Sequence, residues 1–205
     1  MLLSSLVGAA VTAVKIKGVN HEFQAVKGVK EDALEIILNL KSLRVKSFSE
    51  EPTKLFLSVK GAKTITAADF EKNADVEIVN PEMVIATTTE DDAKFELEIT
   101  VAKGRGYSPS EERLNESHDI GTIAIDSLFS PIRNVGYKVE NTRVGEITNY
   151  DKLIMTIETD GTVTPQEAVE QSARILIDYF ALLAGNTLNG NNLIQTEGES
   201  RPETP

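Results

Sequence analysis

An alternation of apolar and polar residues recurs along this chain and constrains its fold more than any other feature of the sequence. In residues 94–101 every second side chain is Phe, Leu, Ile or Val, and the others are charged or hydroxyl-bearing. A period of two predicts a strand with one face on a core and the other in water, which is typical of antiparallel sheets. The same period recurs in residues 55–59, 76–78, 123–125, 135–139 and 153–157. The segment 104–110, rich in Gly and Ser, predicts a loop instead.

Residues 31–43 predict a first helix. Glu31 and Asp32 favour its amino end, because acidic side chains there interact well with the helix dipole. The apolar residues that follow have the spacing of a helix with one buried side. That predicted side comprises Leu34, Ile37 and Leu38, with Ile36, Leu40 and Leu43 alongside.

A second helix has the strongest start signal in the sequence. Thr164 is a predicted N-cap, Pro165 occupies the first helical position, and Glu167 stands three residues after Thr164. This spacing is that of a capping box with a preorganised first turn. Gly185 is a suitable residue for ending the helix.

The second helix has two apolar stripes. The first comprises Val169, Ala173, Leu176, Phe180 and Leu183, and the second comprises Ala168, Ile175, Tyr179 and Leu182. One stripe suffices to dock a helix on its own sheet, so two stripes indicate burial on two sides. One of those sides could face another chain, or both could be buried within one domain. The pattern alone leaves both alternatives open.

Composition excludes several classes of protein. A chain of 205 residues can form one large domain or two small ones. Its net charge of −11 argues against direct non-specific DNA binding, which depends on Lys and Arg neutralising phosphates. With no cysteine it has neither disulfides nor thiolate metal sites, which suits a cytoplasmic protein. No apolar run approaches the roughly 20 residues of a membrane-spanning helix.

The sequence has no motif that supports an independent active site. It contains neither a P-loop nor a G-x-S-x-G elbow. The acidic clusters Glu50–Glu51, Glu90–Asp92 and Glu111–Glu112 lack the spacing of a calcium loop or a two-metal site. We therefore expect no catalytic residue, no metal site, no cofactor and no small-molecule substrate. Two alternatives remain: a stand-alone acidic β-rich protein-binding module, and a hydrolase that uses the second or third acidic cluster.

Five segments, in order, resemble the amino-terminal region of bacterial RNA polymerase alpha subunits. The combination of GVKED-x3-EIILNLK, GRGY and TDGT-x2-P-x2-A in register carries the resemblance, which extends from about residue 2 to 185. The five segments are LLSSLVGAA with VTAVKIKGVNHEF, GVKEDALEIILNLKSL, TAADF with DVEIVNPEMVIA, VAKGRGY, and residues 120–169.

The resemblance implies an α+β fold with two domains, one of them discontinuous. A dimerisation domain would combine residues 1–7 with 132–187, a mostly antiparallel β insert domain would span 8–131, and 188–205 would be a flexible linker. Strands and a helix that precede Leu2 in the family have no counterpart here, nor does its DNA-binding carboxy-terminal domain. We therefore expect a weak dimer that meets DNA only indirectly.

The resemblance also implies a non-catalytic scaffold within a nucleotidyltransferase complex. The chain would form a homodimer and hold the beta and beta-prime subunits in the cytoplasm, associated with the nucleoid through the polymerase. Its dimer interface would be the stripe Val169, Ala173, Leu176, Phe180 and Leu183. Positions implied to contact beta are Leu3, His21, Gly28 and Asp32. Positions implied to contact beta-prime are Lys41 and Ile125, and Arg143 would also lie near the large subunits.

Overall fold

The computed structural model describes residues 1–113, 121–145 and 147–184. Its strands pair antiparallel throughout, and with two helices they form an α+β fold, as predicted. The strands are β1 (Val7–Ile16), β2 (Val45–Ser47), β3 (Thr53–Lys60), β4 (Thr64–Thr66), β5 (Val76–Ile78), β6 (Val84–Thr87), β7 (Lys94–Arg105), β8 (Tyr107–Ser108), β9 (Thr122–Ala124), β10 (Ser127–Leu128), β11 (Ile132–Val144) and β12 (Ile147–Thr159). The helices are α1 (Ala33–Lys41) and α2 (Pro165–Leu183). The predicted linker 188–205, residues 185–187 of the predicted dimerisation domain and the predicted stop at Gly185 lie outside the described residues.

The largest sheet has the strand order β3-β7-β1-β2-β5, with β9 also paired to β1. Strand β7 carries the predicted alternation: its apolar residues are buried, while its polar residues lie on the outer face. The inner face packs against α1 and forms the larger hydrophobic cluster. We call this sheet, α1 and the two short hairpin strands β4 and β6 the sheet unit.

Helix α1 is capped at both ends. The Asp32 carboxylate accepts a hydrogen bond from the Glu35 amide at 2.8 Å, and Lys41 occupies the last turn. The buried face comprises Ala33, Ile36, Ile37 and Leu40. The sequence prediction placed Leu34 and Leu38 on this face, which is wrong, because they are 38% and 53% exposed. Six of the nine positions of α1 are apolar, so its contacts with the sheet, rather than its own periodicity, select the buried side.

Strands β11 and β12 form a long hairpin, against which α2 packs. Their contact is a second, smaller hydrophobic cluster with Leu6, Ile132 and Ala168 at its centre. The start of the chain therefore joins elements that are more than a hundred residues later in sequence. We call the hairpin, α2 and residues 1–6 the hairpin–helix unit.

The capping box of α2 is confirmed. The Thr164 amide donates to the Glu167 carboxylate at 2.9 Å, and the Glu167 amide donates to the Thr164 hydroxyl at 3.2 Å. These bonds stabilise the charged carboxylate and lower the pKa of Glu167.

A pair of glycines in the largest sheet makes room for Phe129, which lies between β10 and β11. Gly8 of β1 and Gly104 of β7 are directly opposite cross-strand partners. A Cβ atom on Gly8 would lie 1.8 Å from the Phe129 carbonyl oxygen, and one on Gly104 would lie 2.7 Å from the Phe129 ring. The glycines thus leave a slot for Phe129, whose amide donates to the Gly106 carbonyl at 2.8 Å. Residues 104–108, predicted as loop, are strand on both sides of Gly106, because residues 104–105 pair with β1 and residues 107–108 pair with β10.

Candidate interaction surfaces

Helix α2 exposes the whole of its predicted dimer stripe. Val169 and Leu176 are 39% and 40% exposed, Phe180 is 66% exposed and Leu183 is 83% exposed. Ala173, between them, is exposed as well. The sequence did not distinguish the two stripes of α2. The structure does, because only the second stripe, which includes Ala168 and Ile175, faces the hairpin.

The hairpin covers only the first half of the inward stripe. Ala168 is fully buried and Ile175 packs against the second cluster. Farther along the same stripe, Tyr179 is 54% exposed and Leu182 is 65% exposed. The second half of α2 is therefore apolar on two sides without cover from the part of the chain that the structure describes.

The hairpin leaves a matching apolar strip uncovered. Tyr137 pairs across the strands with Met155, and Val139 pairs with Leu153. By the period of two, these pairs share the face of Val135 and Ile157, which pack in the second cluster. The exposed fractions of Tyr137, Val139, Leu153 and Met155 are 77%, 52%, 59% and 39%.

We call the exposed apolar residues of α2 and this hairpin strip together the hairpin–helix face. Sequence reasoning recognised the strands but missed their part in this surface, since alternation identifies an apolar face without showing what covers it. Contiguous apolar surface of this kind is rare on monomeric proteins and marks an interaction site.

Three of the predicted beta-contact residues lie in one segment before and at the start of α1. His21 is exposed, and its carbonyl accepts from the Gln24 amide at 3.3 Å. Gly28 has a φ of +73°, and its carbonyl accepts from the Thr89 amide at 2.9 Å. Asp32 is the N-cap of α1. The structure therefore brings His21, Gly28 and Asp32 onto one ordered stretch of surface.

The predicted beta-prime residues Lys41 and Ile125 also come together, through Asp126. The Lys41 ammonium lies 3.0 Å from the Asp126 carboxylate, although 85 residues separate them. Asp126 also accepts from the Ser110 amide at 2.9 Å and the Ser110 hydroxyl at 2.8 Å. The Ser110 amide and then Lys41 hold the pKa of Asp126 well below its usual range.

Ile125 itself belongs to the core, with 1% of its surface exposed. Its amide donates to the Thr12 carbonyl at 2.8 Å, which fixes the strand position next to Asp126. Its side chain is therefore not presented at the surface, unlike that of Lys41. The charged group at this position in the fold is Asp126, whose side chain is 33% exposed and which the sequence reasoning missed.

Arg113 holds the same region together and was also missed. Its guanidinium donates to the Thr12 carbonyl at 3.2 Å, to the Ser127 hydroxyl at 3.1 Å, and to the Ile125 carbonyl. Ser127 is buried and its hydroxyl also contacts the Val11 carbonyl at 2.8 Å. One side chain thus joins β1, β10 and the residue after β9.

The two remaining predicted residues lie elsewhere. Leu3 is 55% exposed in a turn before β1, and its carbonyl accepts from the Ser130 hydroxyl at 3.1 Å. Arg143 is exposed near the end of β11, and its Nε donates to the Gly145 carbonyl at 2.6 Å. The structure does not join either to the clusters around Asp32 and Asp126.

Within residues 1–113, 121–145 and 147–184, no group of three or more His, Asp or Glu residues is placed to hold a metal ion. In that same part of the chain, neither helix is long and apolar enough to cross a membrane.

Comparison with known proteins shows what this chain is similar to. Residues 14–130 match the family model described as the RNA polymerase Rpb3/RpoA insert domain. The DNA-directed RNA polymerase subunit alpha of Heliobacterium modesticaldum is 50% identical over 204 residues, which cover 99% of this chain and 64% of that protein. The subunit alpha of Moorella thermoacetica is also 50% identical, covering 98% and 65%, and that of Oceanobacillus iheyensis is 47% identical, covering 94% and 61%. The chain thus spans slightly less than two thirds of the length of these relatives.

Proposed function

This chain belongs to the family of bacterial RNA polymerase alpha subunits, and from that premise we propose that it is a non-catalytic scaffold that forms a homodimer and binds the beta and beta-prime subunits. In this role it would act in the cytoplasm and meet DNA only through the assembled polymerase. The proposal rests on surfaces rather than on reactive groups.

The hairpin–helix face is the observation that carries the proposal. Leaving Phe180, Leu182 and Leu183 in water forgoes the burial free energy of each side chain, about 1.5–3 kcal/mol when burial is complete. A second copy of the chain, related by a two-fold axis, would cover α2 and the hairpin strip with the same residues. The five residues of the predicted dimer stripe are all exposed and available for such a contact.

The two hydrophobic clusters support the proposed division of the chain. The smaller cluster joins Leu6 to Ile132 and Ala168, as a dimerisation domain formed from residues 1–7 and 132–187 requires. The larger cluster lies within residues 11–125, inside the proposed insert domain 8–131.

The proposed contacts with the large subunits lie in the turn before β1, in the loop and first turn of α1, near Asp126, and at the hairpin tip. His21, Gly28 and Asp32 would face beta, together with Leu3. Lys41 would face beta-prime. Ile125 would contribute indirectly by holding the neighbouring Asp126 in place, because its own side chain is buried. Arg143 would approach the large subunits from the hairpin tip.

Sedimentation of the purified chain over a range of concentrations tests the dimer. We expect a reversible, concentration-dependent dimer. Phe180→Glu combined with Leu183→Glu places charges in the contact and should raise the dimer Kd by about 100-fold or more. Phe48→Glu, on an exposed loop of the sheet unit, is the matched control and should leave the Kd unchanged. A chain that stays monomeric at all concentrations, or a double variant that dimerises normally, would contradict the proposal.

A further inference from the structure

A groove with an excess of positive charge crosses the outer face of the largest sheet, on the side opposite α1. Its volume is about 820 Å³, and its lining comes from β1, β3, β7, β8 and β9 and from the loops beside them. Lys54 and Thr100 of this lining alternate with the buried Leu55 and Val101, so they belong to the outer face of the sheet. We call this concavity the basic groove.

The charge of the basic groove is opposite to that of the chain as a whole. In the full sequence, 32 acidic residues outnumber 21 Lys and Arg residues. In the groove the balance is reversed, with five cationic residues against the single acidic residue Glu98. The five are Lys15, Lys54, Lys103, Arg105 and Arg113. The positive charge is therefore a local property of this face.

Ion pairs neutralise only part of this charge. Lys54 lies 2.6 Å from Glu98, and Lys103 is paired as well, with an acidic residue outside the groove. Among the described residues, none of the other three cations has a carboxylate within ion-pair distance. The Arg113 guanidinium donates to main-chain carbonyls, which have no net charge, so its positive charge is retained. Three positive charges thus remain without a counter-charge.

The groove is long because the residues along its floor are small. Thr100, Ala102 and Gly104 follow one another on the outer face of β7, and Ala13 of β1 lies directly opposite Thr100. The lining includes both ends of residues 98–105, which is about 23 Å of strand. A peptide of about seven extended residues has the same length. The groove therefore suits an extended polyanion better than a compact anion such as phosphate.

The lining also distinguishes between two kinds of polyanion. Proteins that hold single-stranded nucleic acid combine cations with exposed aromatic side chains, on which the bases stack. The one aromatic residue in the described lining of the groove is Phe129, which is 7% exposed and lies against Gly104. The lining instead includes Thr100, Ser108 and Thr122, whose hydroxyl groups can form hydrogen bonds with a peptide. These features favour an acidic polypeptide.

We propose that the basic groove binds an extended acidic segment of a protein partner. Carboxylates of this segment would pair with Lys15 and with Arg105, and the charge of Arg113 would attract the same segment. The inference does not rest on the proposed scaffold function, because neither α1 nor the hairpin–helix face contributes a residue to the groove. Exposed ion pairs are individually weak and are screened by salt, so the affinity should depend strongly on ionic strength.

The test is an NMR titration of the isotope-labelled full chain with octaglutamate, an acidic peptide of suitable length. We expect saturable binding at low salt with a Kd below about 1 mM, and a Kd at least about tenfold higher at about 0.3 M salt. Lys15→Gln combined with Arg105→Gln should raise the low-salt Kd by about tenfold.

The matched control is Lys60→Gln combined with Lys94→Gln. These two exposed lysines are cross-strand partners at the other end of β7 and do not line the groove. The control removes the same amount of charge from the same sheet, so it should change the Kd by less than about twofold. Equal weakening by the two double variants would show that the peptide responds to the overall charge, and would overturn the proposal.

Two further outcomes would also overturn it. Without saturable binding at about 1 mM peptide, the basic groove would be an ordinary solvated surface. A thymidine oligonucleotide of the same length should bind more weakly than octaglutamate, because the groove offers its bases no exposed aromatic ring. Tighter binding of the oligonucleotide would assign the groove to nucleic acid instead.

The positions of the shifted signals provide a measurement that does not depend on the folding of any variant. In the unmodified chain, octaglutamate should shift the amide signals of Ala13, Thr100 and Ala102, which lie along the floor of the groove. The signals of Ser58 and Lys60, on the same sheet but outside the basic groove, should not move. Shifts confined to residues outside the groove would refute the assignment.

Discussion

The sheet unit completes its own packing, whereas the hairpin–helix unit does not. The sheet unit buries the inner face of its largest sheet against α1, and its outer face is polar, with ion pairs such as Lys54–Glu98 at 2.6 Å. The hairpin–helix unit buries three residues at its centre and exposes most of the apolar surface of α2. Both have clear amphipathic patterns, so amphipathicity alone does not tell which apolar face will be covered within one chain.

The difference is one of geometry. A sheet of several strands with a helix across it can enclose a core, but a two-stranded hairpin is marginal by itself and one helix covers only part of its face. The hairpin–helix unit is therefore expected to gain much of its stability from association, and the sheet unit from its own core.

The largest expected effect comes from comparing one aromatic residue in each unit. Phe95→Ala should lower the free energy of unfolding by about 3–5 kcal/mol, because it leaves a cavity in the core of the sheet unit. Tyr137→Ala should cost less than about 0.5 kcal/mol in the monomer, where Tyr137 is 77% exposed. Urea unfolding at low protein concentration measures both. Equal losses would show that the two units do not differ as described.

The slot that Gly8 and Gly104 leave for Phe129 gives the next effect. Gly8→Ala forces its Cβ against the backbone of Phe129 and should cost about 3 kcal/mol, as severe overpacking does. Gly136→Ala is the control, because its Cβ would find its nearest neighbour at 3.9 Å. Thermal unfolding should show a lower Tm for the first variant only. A tolerated Gly8→Ala would mean that the close contact between Gly8 and the Phe129 backbone does not constrain the fold.

Asp126→Asn tests the electrostatic contact within the sheet unit. Losing the charge that Lys41 and Ser110 stabilise should cost about 1.5 kcal/mol at neutral pH. Because the pKa of Asp126 is lowered in the folded chain, its contribution is present above the usual value of 3.8 and is lost as pH falls towards the lowered pKa. Urea unfolding between pH 3 and 7 should therefore show the difference between the two proteins constant at the upper end and shrinking below 3.8. A difference that grows on acidification would refute the assignment.

The smallest effect is at the start of α2. Thr164→Ala removes the capping hydrogen bond to Glu167 and should cost about 1 kcal/mol, whereas Thr164→Ser should keep most of it. Amide hydrogen exchange should speed up in the first turns of α2, with strand β7 unaffected. Faster exchange in β7 as well would mean that the two units unfold together.

Local patterns predicted the elements whose environment is simple. The alternation of residues 94–101 predicted β7, and the Thr164 capping box predicted the start of α2, because each signal depends on backbone geometry close in sequence. The α+β class followed from these elements, and the resemblance identified the family.

What could not be predicted depends on contacts between distant residues. The orientation of α1 is set by the strands on which it packs, so Leu34 and Leu38 were placed on the wrong side. Asp126 and Arg113 are single charged residues whose partners are far away in sequence, and no motif identifies them. The extension of β7 to Arg105 depends on pairing with Val7 and Gly8 of β1, which lie far earlier in the sequence.

The two glycines of the slot should differ in how readily evolution can replace them. At position 104 the obstacle is the ring of Phe129, so a smaller side chain at 129 could appear first and open the way for alanine. At position 8 the obstacle is the Phe129 carbonyl oxygen, which every amino acid possesses. Substitution of Gly104 should therefore accompany substitution of Phe129, whereas Gly8 should remain glycine whatever residue occupies position 129.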